Sequence, residues 1–159
     1  MTLTTARFGD MEIDGAKLLG FADGLPGLEE YKSFAVLNFE DSYPIMWLQS
    51  AEEPRISLPV IDPFTINPDY AFDLSDEDVR ELSLESVSDV QVLAVLVIPE
   101  KMEDMTANYA APVIVNARTG SAKQVILGGD AHSARTPVFL DVAKFLRGGR
   151  ADADSVAKN

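Results

Sequence analysis

Cysteine is absent from the 159 residues, which excludes disulfides, thiolate metal sites and a cysteine nucleophile. Histidine occurs once, as His132 in Gly-Gly-Asp-Ala-His-Ser, with no second imidazole for a metal pair or a triad, so it reads as a surface-loop residue. No phosphate loop is present: Gly24, Gly27, Gly128 and Gly129 match neither the dinucleotide fingerprint nor the Walker pattern. Long apolar runs are missing too. The longest, Val92 to Pro99, is eight residues and closes on a proline, which suits a buried strand and not a membrane span. Positive charge is scarce, with 13 basic against 26 acidic residues and a net charge of -13. Such a chain is repelled by phosphate backbones, so direct nucleic-acid binding is not expected. The start of the chain, Met1 to Arg7, shows no basic-then-apolar signal pattern, and a cytoplasmic location is the expectation.

What is present fits one globular domain. Hydrophobic residues make up 47% and charged residues 25%, close to the usual balance for a chain with a single core. Short apolar segments recur between Gly, Pro, Asn and Asp, the spacing of a mostly β domain. Phe8 to Ile13 and Lys17 to Phe21 flank Asp14-Gly15, which predicts a hairpin. Leu28 to Tyr31 suits one helical turn. Strands follow at 34–39, 45–49 and 56–61, and at 90–98 as the central one. Pro112 to Ala117 and Lys123 to Leu127 form a second hairpin across Arg118-Thr119-Gly120-Ser121. Asp62-Pro63-Phe64 and Asn67-Pro68-Asp69 interrupt the pattern twice and read as loop or edge, because proline has no N–H and restrains its predecessor.

Two helices are expected. Ser75-Asp76-Glu77-Asp78 places a cap hydroxyl three residues before a carboxylate, and Asp76, Glu77 and Asp78 meet the positive end of the helix dipole. Near the C-terminus Phe139, Val142, Ala143 and Leu146 fall at i, i+3, i+4 and i+7, behind Thr136 as cap and Pro137 in the first turn, with Gly148-Gly149 beyond. The domain reading is thus a barrel-like body over 1–136, an amphipathic helix over 137–149 and a frayed polar tail over 150–159. The helix stripe either packs on the barrel or docks on a partner.

Residue chemistry points to a noncatalytic binding protein. Adjacent carboxylates such as Glu29-Glu30 and Glu52-Glu53 make no acid–base pair without burial to separate their pKa values. Asp10, Glu12 and Asp14 alternate along a strand, yet the twelve-residue calcium loop is absent and no cofactor is expected. A small acidic-cleft hydrolase, with two buried carboxylates about 5 to 10 Å apart, stands as an alternative, as does a purely structural component with a self-association surface. Residues 69–104 hold eleven acidic and two basic residues, a charge of -9, serving either solubility or a basic partner.

A series of short motifs, in order, carries a resemblance. Phe8-Gly9-Asp10-Met11-Glu12-Ile13 is followed by Phe21-Ala22-Asp23-Gly24-Leu25-Pro26-Gly27-Leu28-Glu29, Trp47-Leu48-Gln49-Ser50, Asp62-Pro63-Phe64 and Pro68-Asp69-Tyr70. Leu74-Ser75-Asp76-Glu77-Asp78, Asp104-Met105-Thr106-Ala107-Asn108, Ala111-Pro112-Val113-Ile114-Val115-Asn116 and Lys123-Gln124-Val125-Ile126-Leu127 continue it. Over about residues 7–136 the chain resembles the flagellar assembly factor FliW family. It departs from the family pattern at Leu28, at Tyr109-Ala110 and at His132.

The resemblance implies a small, mostly antiparallel β-barrel-like domain with one or two short helices and a C-terminal helix. It also implies two protein partners, the translational regulator CsrA, whose binding to flagellin mRNA is antagonised, and flagellin as the alternative. No enzyme activity, direct nucleic-acid contact or membrane contact is implied, and the free protein is expected to be a monomer. The residues expected to meet partners are Asp62, Pro63, Phe64, Tyr70, Asp76, Glu77, Asp78, Glu81 and Asn108. Phe64 and Tyr70 are either anchors or core on the sequence alone.

Overall fold

The computed structural model describes residues 1–157. Its strands are β1 (Thr2–Thr5), β2 (Gly9–Glu12), β3 (Leu19–Phe21), β4 (Ser33–Leu37), β5 (Met46–Ser50), β6 (Ser57–Ile61), β7 (Val90–Val97), β8 (Thr106–Ala107), β9 (Val113–Asn116), β10 (Ser121–Gln124) and β11 (Thr136–Pro137). The helices are α1 (Pro63–Ile66), α2 (Asp76–Glu81) and α3 (Phe139–Ala157). Seven strands close into a barrel in the order β3-β4-β5-β6-β7-β9-β10, with β8 and β11 extending the sheet outward from β7. The mostly antiparallel expectation holds, with one seam that is parallel: Ser121 faces Gly20 and Ala122 faces Phe21 where β10 meets β3.

Alternation along the strands divides the apolar residues between three clusters. Phe21, Phe34, Leu48, Val60, Leu93, Val113 and Val115 fill one cluster, the barrel interior. The opposite faces of β7 and β9, with Val92, Ala94, Leu96 and Ile114, join Ile66, Leu82, Tyr109, Val138 and Val142 in an outer layer under the helices. The outer face of β4, at Ala35 and Leu37, is covered by Leu3, Phe8, Met11 and Ile13. Burial on both faces is why β7 reads as a continuous apolar run.

That third cluster explains the first correction. The hairpin expected around Asp14-Gly15 does not form: Gly15–Lys17 is a 3-10 turn, β2 pairs backward with β1 and β3 pairs with β4 and β10. Leu3, Met11 and Ile13 cover the outer barrel wall while Leu19 and Phe21 point inside, so the two halves of the expected hairpin bury their apolar side chains on opposite sides of that wall. The second hairpin forms as expected, with Ile114 opposite Lys123. Gly120 closes its turn at φ +83°, and a Cβ there would lie 2.8 Å from the Leu18 carbonyl oxygen, so a side chain is excluded both by strain and by contact.

The remaining differences concern helices. Leu28 to Tyr31 forms turns, with Leu28 N–H donating to the Leu25 carbonyl (2.8 Å) and Tyr31 N–H to that of Leu28 (3.1 Å). Residues 63–66, expected as loop or edge, make the single turn of α1, because Pro63 supplies a helical φ at the first position and the Asp62 carboxylate accepts from the Phe64 N–H at 2.9 Å. Thr136 and Pro137 are not the start of the last helix but the edge strand β11, paired with Thr106 and Ala107 of β8, where a missing N–H costs nothing. The helix begins at Phe139 and runs through Gly148 to Ala157, past the Gly-Gly pair expected to end it and through most of the stretch expected to fray. Residues 158 and 159 of that stretch lie outside the described residues.

Candidate partner-binding surface

The segment from Asp62 to Asp78 carries most of the expected site residues, and the fold sorts them by use. Tyr70 is 4% exposed and donates its hydroxyl to the Tyr109 carbonyl at 2.8 Å. Its ring lies 4.7 Å from Tyr109, 4.8 Å from His132, 5.4 Å from Phe72 and 5.5 Å from Phe64. Burial pushes the Tyr70 and Tyr109 phenols up to about 12, so both stay neutral and act as packing. Tyr70 is therefore core, and so is buried Pro63. Phe64 is the exposed member of the string, 41% accessible and stacked at 20° on Phe72. Asp62 is spent on capping α1. His132 is half-buried, its Nε2 2.7 Å from the Ala71 carbonyl oxygen.

The capped helix forms as the sequence indicates. Ser75 Oγ accepts from the Asp78 N–H at 3.1 Å, and three acidic residues occupy the first turn of α2. Only two of the four expected acids are free to meet a partner. Lys123 Nζ on β10 donates to Asp78 Oδ1 at 2.7 Å and to Glu81 Oε2 at 2.6 Å. Hydrogen bonding to Lys123 holds the Asp78 carboxyl below its usual range, and the two carboxylates push the Lys123 ammonium upward. Asp76 and Glu77 are exposed. The far end of α2 is held by Asn116, whose Nδ2 donates to the Leu82 and Ser83 carbonyls at 2.8 and 3.2 Å while its Oδ1 accepts from the Arg118 and Thr119 N–H groups. One fully buried side chain thus ties the helix end to the hairpin turn, a role invisible before the two are brought together.

Between these parts lies an open depression lined in part by Phe72, Asp73, Asp78, Val125, Ile126 and His132. Ile126 is 78% exposed at its edge; the sequence placed it in a hairpin strand, but β10 ends at Gln124. The lining is apolar at Phe72 and Ile126 and acidic at Asp73; Phe64 extends the apolar string through its stack on Phe72, and Asp76 and Glu77 stand exposed in the first turn of the helix that supplies Asp78. Asn108 does not line the depression. Its N–H donates to the Val95 carbonyl at 2.9 Å and its Oδ1 is buried without a hydrogen-bond partner among the described residues.

The buried polar side chains among the described residues are Thr5, Gln49, Ser50 and Asn116, so the two buried carboxylates required of a hydrolase are not among them. Among the described residues no group of three or more His, Asp or Glu is placed to hold a metal ion, and no helix is long and apolar enough to cross a membrane.

Comparison with known proteins agrees with this architecture. The family model described as FliW protein matches residues 2–138. The chain is 39% identical over 122 residues to the flagellar assembly factor FliW of Thermosipho africanus, covering 76% of this chain and 84% of the relative. To the same factor of Caldanaerobacter subterraneus subsp. tengcongensis it is 37% identical over 143 residues, 89% of this chain and 95% of the relative. A crystal structure of the flagellar assembly factor FliW superposes with a TM-score of 0.81 at 32% identity, covering 87% of this chain and 97% of that one.

Proposed function

Because the chain belongs to the FliW family of flagellar assembly factors, we propose that it acts in the cytoplasm as a noncatalytic regulator that binds CsrA, lowers CsrA's hold on flagellin mRNA, and binds flagellin as the alternative partner. The observation that supports this most directly is the surface beside α2, where Ile126 stands exposed and the Phe72–Phe64 stack offers apolar side chains on the segment that also carries exposed Asp73, Asp76 and Glu77. An RNA-binding regulator carries basic side chains, so a partner of charge -13 attracts it and repels the RNA. The effect needs no contact with RNA. It requires only that binding at one place on CsrA changes affinity at another, a coupling free energy between two sites. The free protein is then a monomer whose partner surface is open.

A three-component mobility-shift assay tests this reading. Saturating amounts of the protein are expected to release CsrA from flagellin mRNA without shifting the RNA alone. If CsrA holds its RNA equally well with and without the protein, the regulatory role is wrong.

A further inference from the structure

Away from α2, a second and more apolar groove runs between α3, the 40–45 loop and the 3-10 turn Met102–Asp104. Phe139, Val142, Ala143 and Leu146 of α3 form one wall, and Tyr43, Pro44, Ile45 and Trp47 the other, over Ile98 and Met105. Val142 and Met105 belong to the core, whereas Tyr43, Met102 and Leu146 are 44%, 45% and 42% exposed. The stripe on α3 thus packs on its own barrel along one edge and leaves its other edge partly exposed at Leu146, while Phe145 of the same helix meets Tyr43 of the loop at 5.9 Å between ring centroids. The wall lies just beyond residues 2–138, which the family model matches.

We propose that this groove is a docking site for an amphipathic α-helix of a partner protein, apolar on the side that enters and rich in lysine or arginine on its flanks. Three observations select that occupant. The stripe from Phe139 to Leu146 spans two helical turns, about 10 Å, and a helix laid along it would meet the wall with residues at the same i, i+3, i+4, i+7 spacing. A peptide added as a further strand would need an open edge, but β5, which supplies Trp47, is paired on both sides with β4 and β6; a helix satisfies its own backbone and needs no such edge. The charges select the flanks. Glu40 and Asp41 line the groove and Glu103 and Asp104 stand exposed on the turn that supplies Met102, none of the four in an ion pair among the described residues, against Lys101 on that turn and Arg147 of α3. This excess of exposed acids favours a basic helix and disfavours a second copy of this chain, whose own charge is -13. Met102 and Met105 give the groove unbranched side chains that adjust to the shape of the entering face. The inference does not depend on the surface beside α2 or on its proposed partners.

Trp47 is the single tryptophan, and its place in the groove makes occupancy readable by fluorescence. The probe is a peptide of about fourteen residues, four helical turns, with leucine at i, i+3, i+4 and i+7 and lysine elsewhere; its counterpart carries glutamate in place of lysine. The full chain is expected to bind the lysine peptide with a change in Trp47 emission, and the glutamate peptide at least about tenfold more weakly. Leu146→Asp is expected to weaken the lysine peptide by about tenfold or more, the effect of losing a central contact. Met102→Asp, on the facing turn and equally exposed, serves as a second test should Leu146→Asp lower the melting temperature. Binding of the lysine peptide that neither substitution weakens would show charge attraction without docking and overturn the proposal. Equal binding of the glutamate peptide overturns the basic flanks, and a dimer of the free protein that Leu146→Asp dissociates assigns the groove to a second copy instead.

Discussion

Lys123 holds two carboxylates of α2 with a single ammonium, and this clasp changes what the acidic residues of that helix can do. Asp78 and Glu81 stabilise the docking of α2 on β10 before any partner arrives. The side chains are 14% and 28% exposed at Asp78 and Lys123, so the pair is worth roughly 1 kcal/mol, the upper end for partly exposed pairs. Asp78→Asn keeps the shape and leaves the backbone N–H that Ser75 caps. It is expected to lower the melting temperature by about 2–4 °C at neutral pH. The Asp78 carboxyl sits below its ordinary value because Lys123 donates to it. Its contribution is therefore complete above the unfolded value of about 3.9 and is lost as the pH falls through the lowered folded value. Lys123 is raised, so its share is present below about pH 10.4 and fades only as the pH climbs through the raised folded value. Melting curves of the two proteins from neutral pH into acid should converge; a gap that persists in acid would mean that the charge is not what Asp78 contributes.

α2 is short, and its worth to a partner lies in the charges that its cap leaves pointing outward. Asp76 and Glu77 are exposed at the end where the backbone N–H groups of the helix favour negative charge. With Asp78 and Glu81 tied to Lys123, they are the cleaner probe of long-range attraction; a lysine at position 81 would break an ion pair and set two ammonium groups side by side. Exposed charges act mainly on the association rate, and their reach is about 8 Å near physiological salt. The double change Asp76→Asn with Glu77→Gln is expected to slow association with CsrA by a few-fold, to flatten its salt dependence and to leave dissociation nearly unchanged. Stopped-flow or surface-binding kinetics across a salt series measures all three. Rates and slopes at the wild-type values would move the steering charges away from α2 and leave its acidity as a solubility feature.

As a whole molecule the protein is a closed seven-strand barrel with its helices layered against one side. Closure leaves few open strand edges for unintended pairing, and a charge of -13 makes copies of the chain repel one another. Recognition is then left to patches where apolar side chains remain uncovered. In the proposed regulation the two partners compete for the one domain. Flagellin added to a complex with CsrA is expected to displace it, so that size-exclusion chromatography shows two binary complexes and no ternary one. Co-elution of all three components in a stable complex would contradict that exchange.

Much of this architecture was legible along the chain because it rests on neighbours a few residues apart. The alternation of β4 and β5, the two-faced apolar run of β7, the hairpin of β9 and β10 and the Ser75 cap all follow from backbone hydrogen bonding and period-two or period-3.6 patterning. The ordered motifs placed the family. Contacts between distant segments were not legible, since the value of an apolar side chain depends on what finally covers it. Tyr70 and Phe64 look alike in sequence, yet one closes over Tyr109 and the other stays open. The Asp14-Gly15 turn signal lost to burial on two sides of the barrel wall, with Leu3, Met11 and Ile13 covering β4 outside and Leu19 and Phe21 within. Likewise Lys123 reaches Asp78 and Glu81 because β10 lies beside α2, and Tyr43, Met102 and Leu146 share a groove because the pairing that runs from β5 through β6, β7 and β8 to β11 gathers separate parts of the chain. Local propensity fixes the elements whose signals lie within a few residues; long-range pairing decides the others, such as β11, and burial selects which side chains remain free to bind.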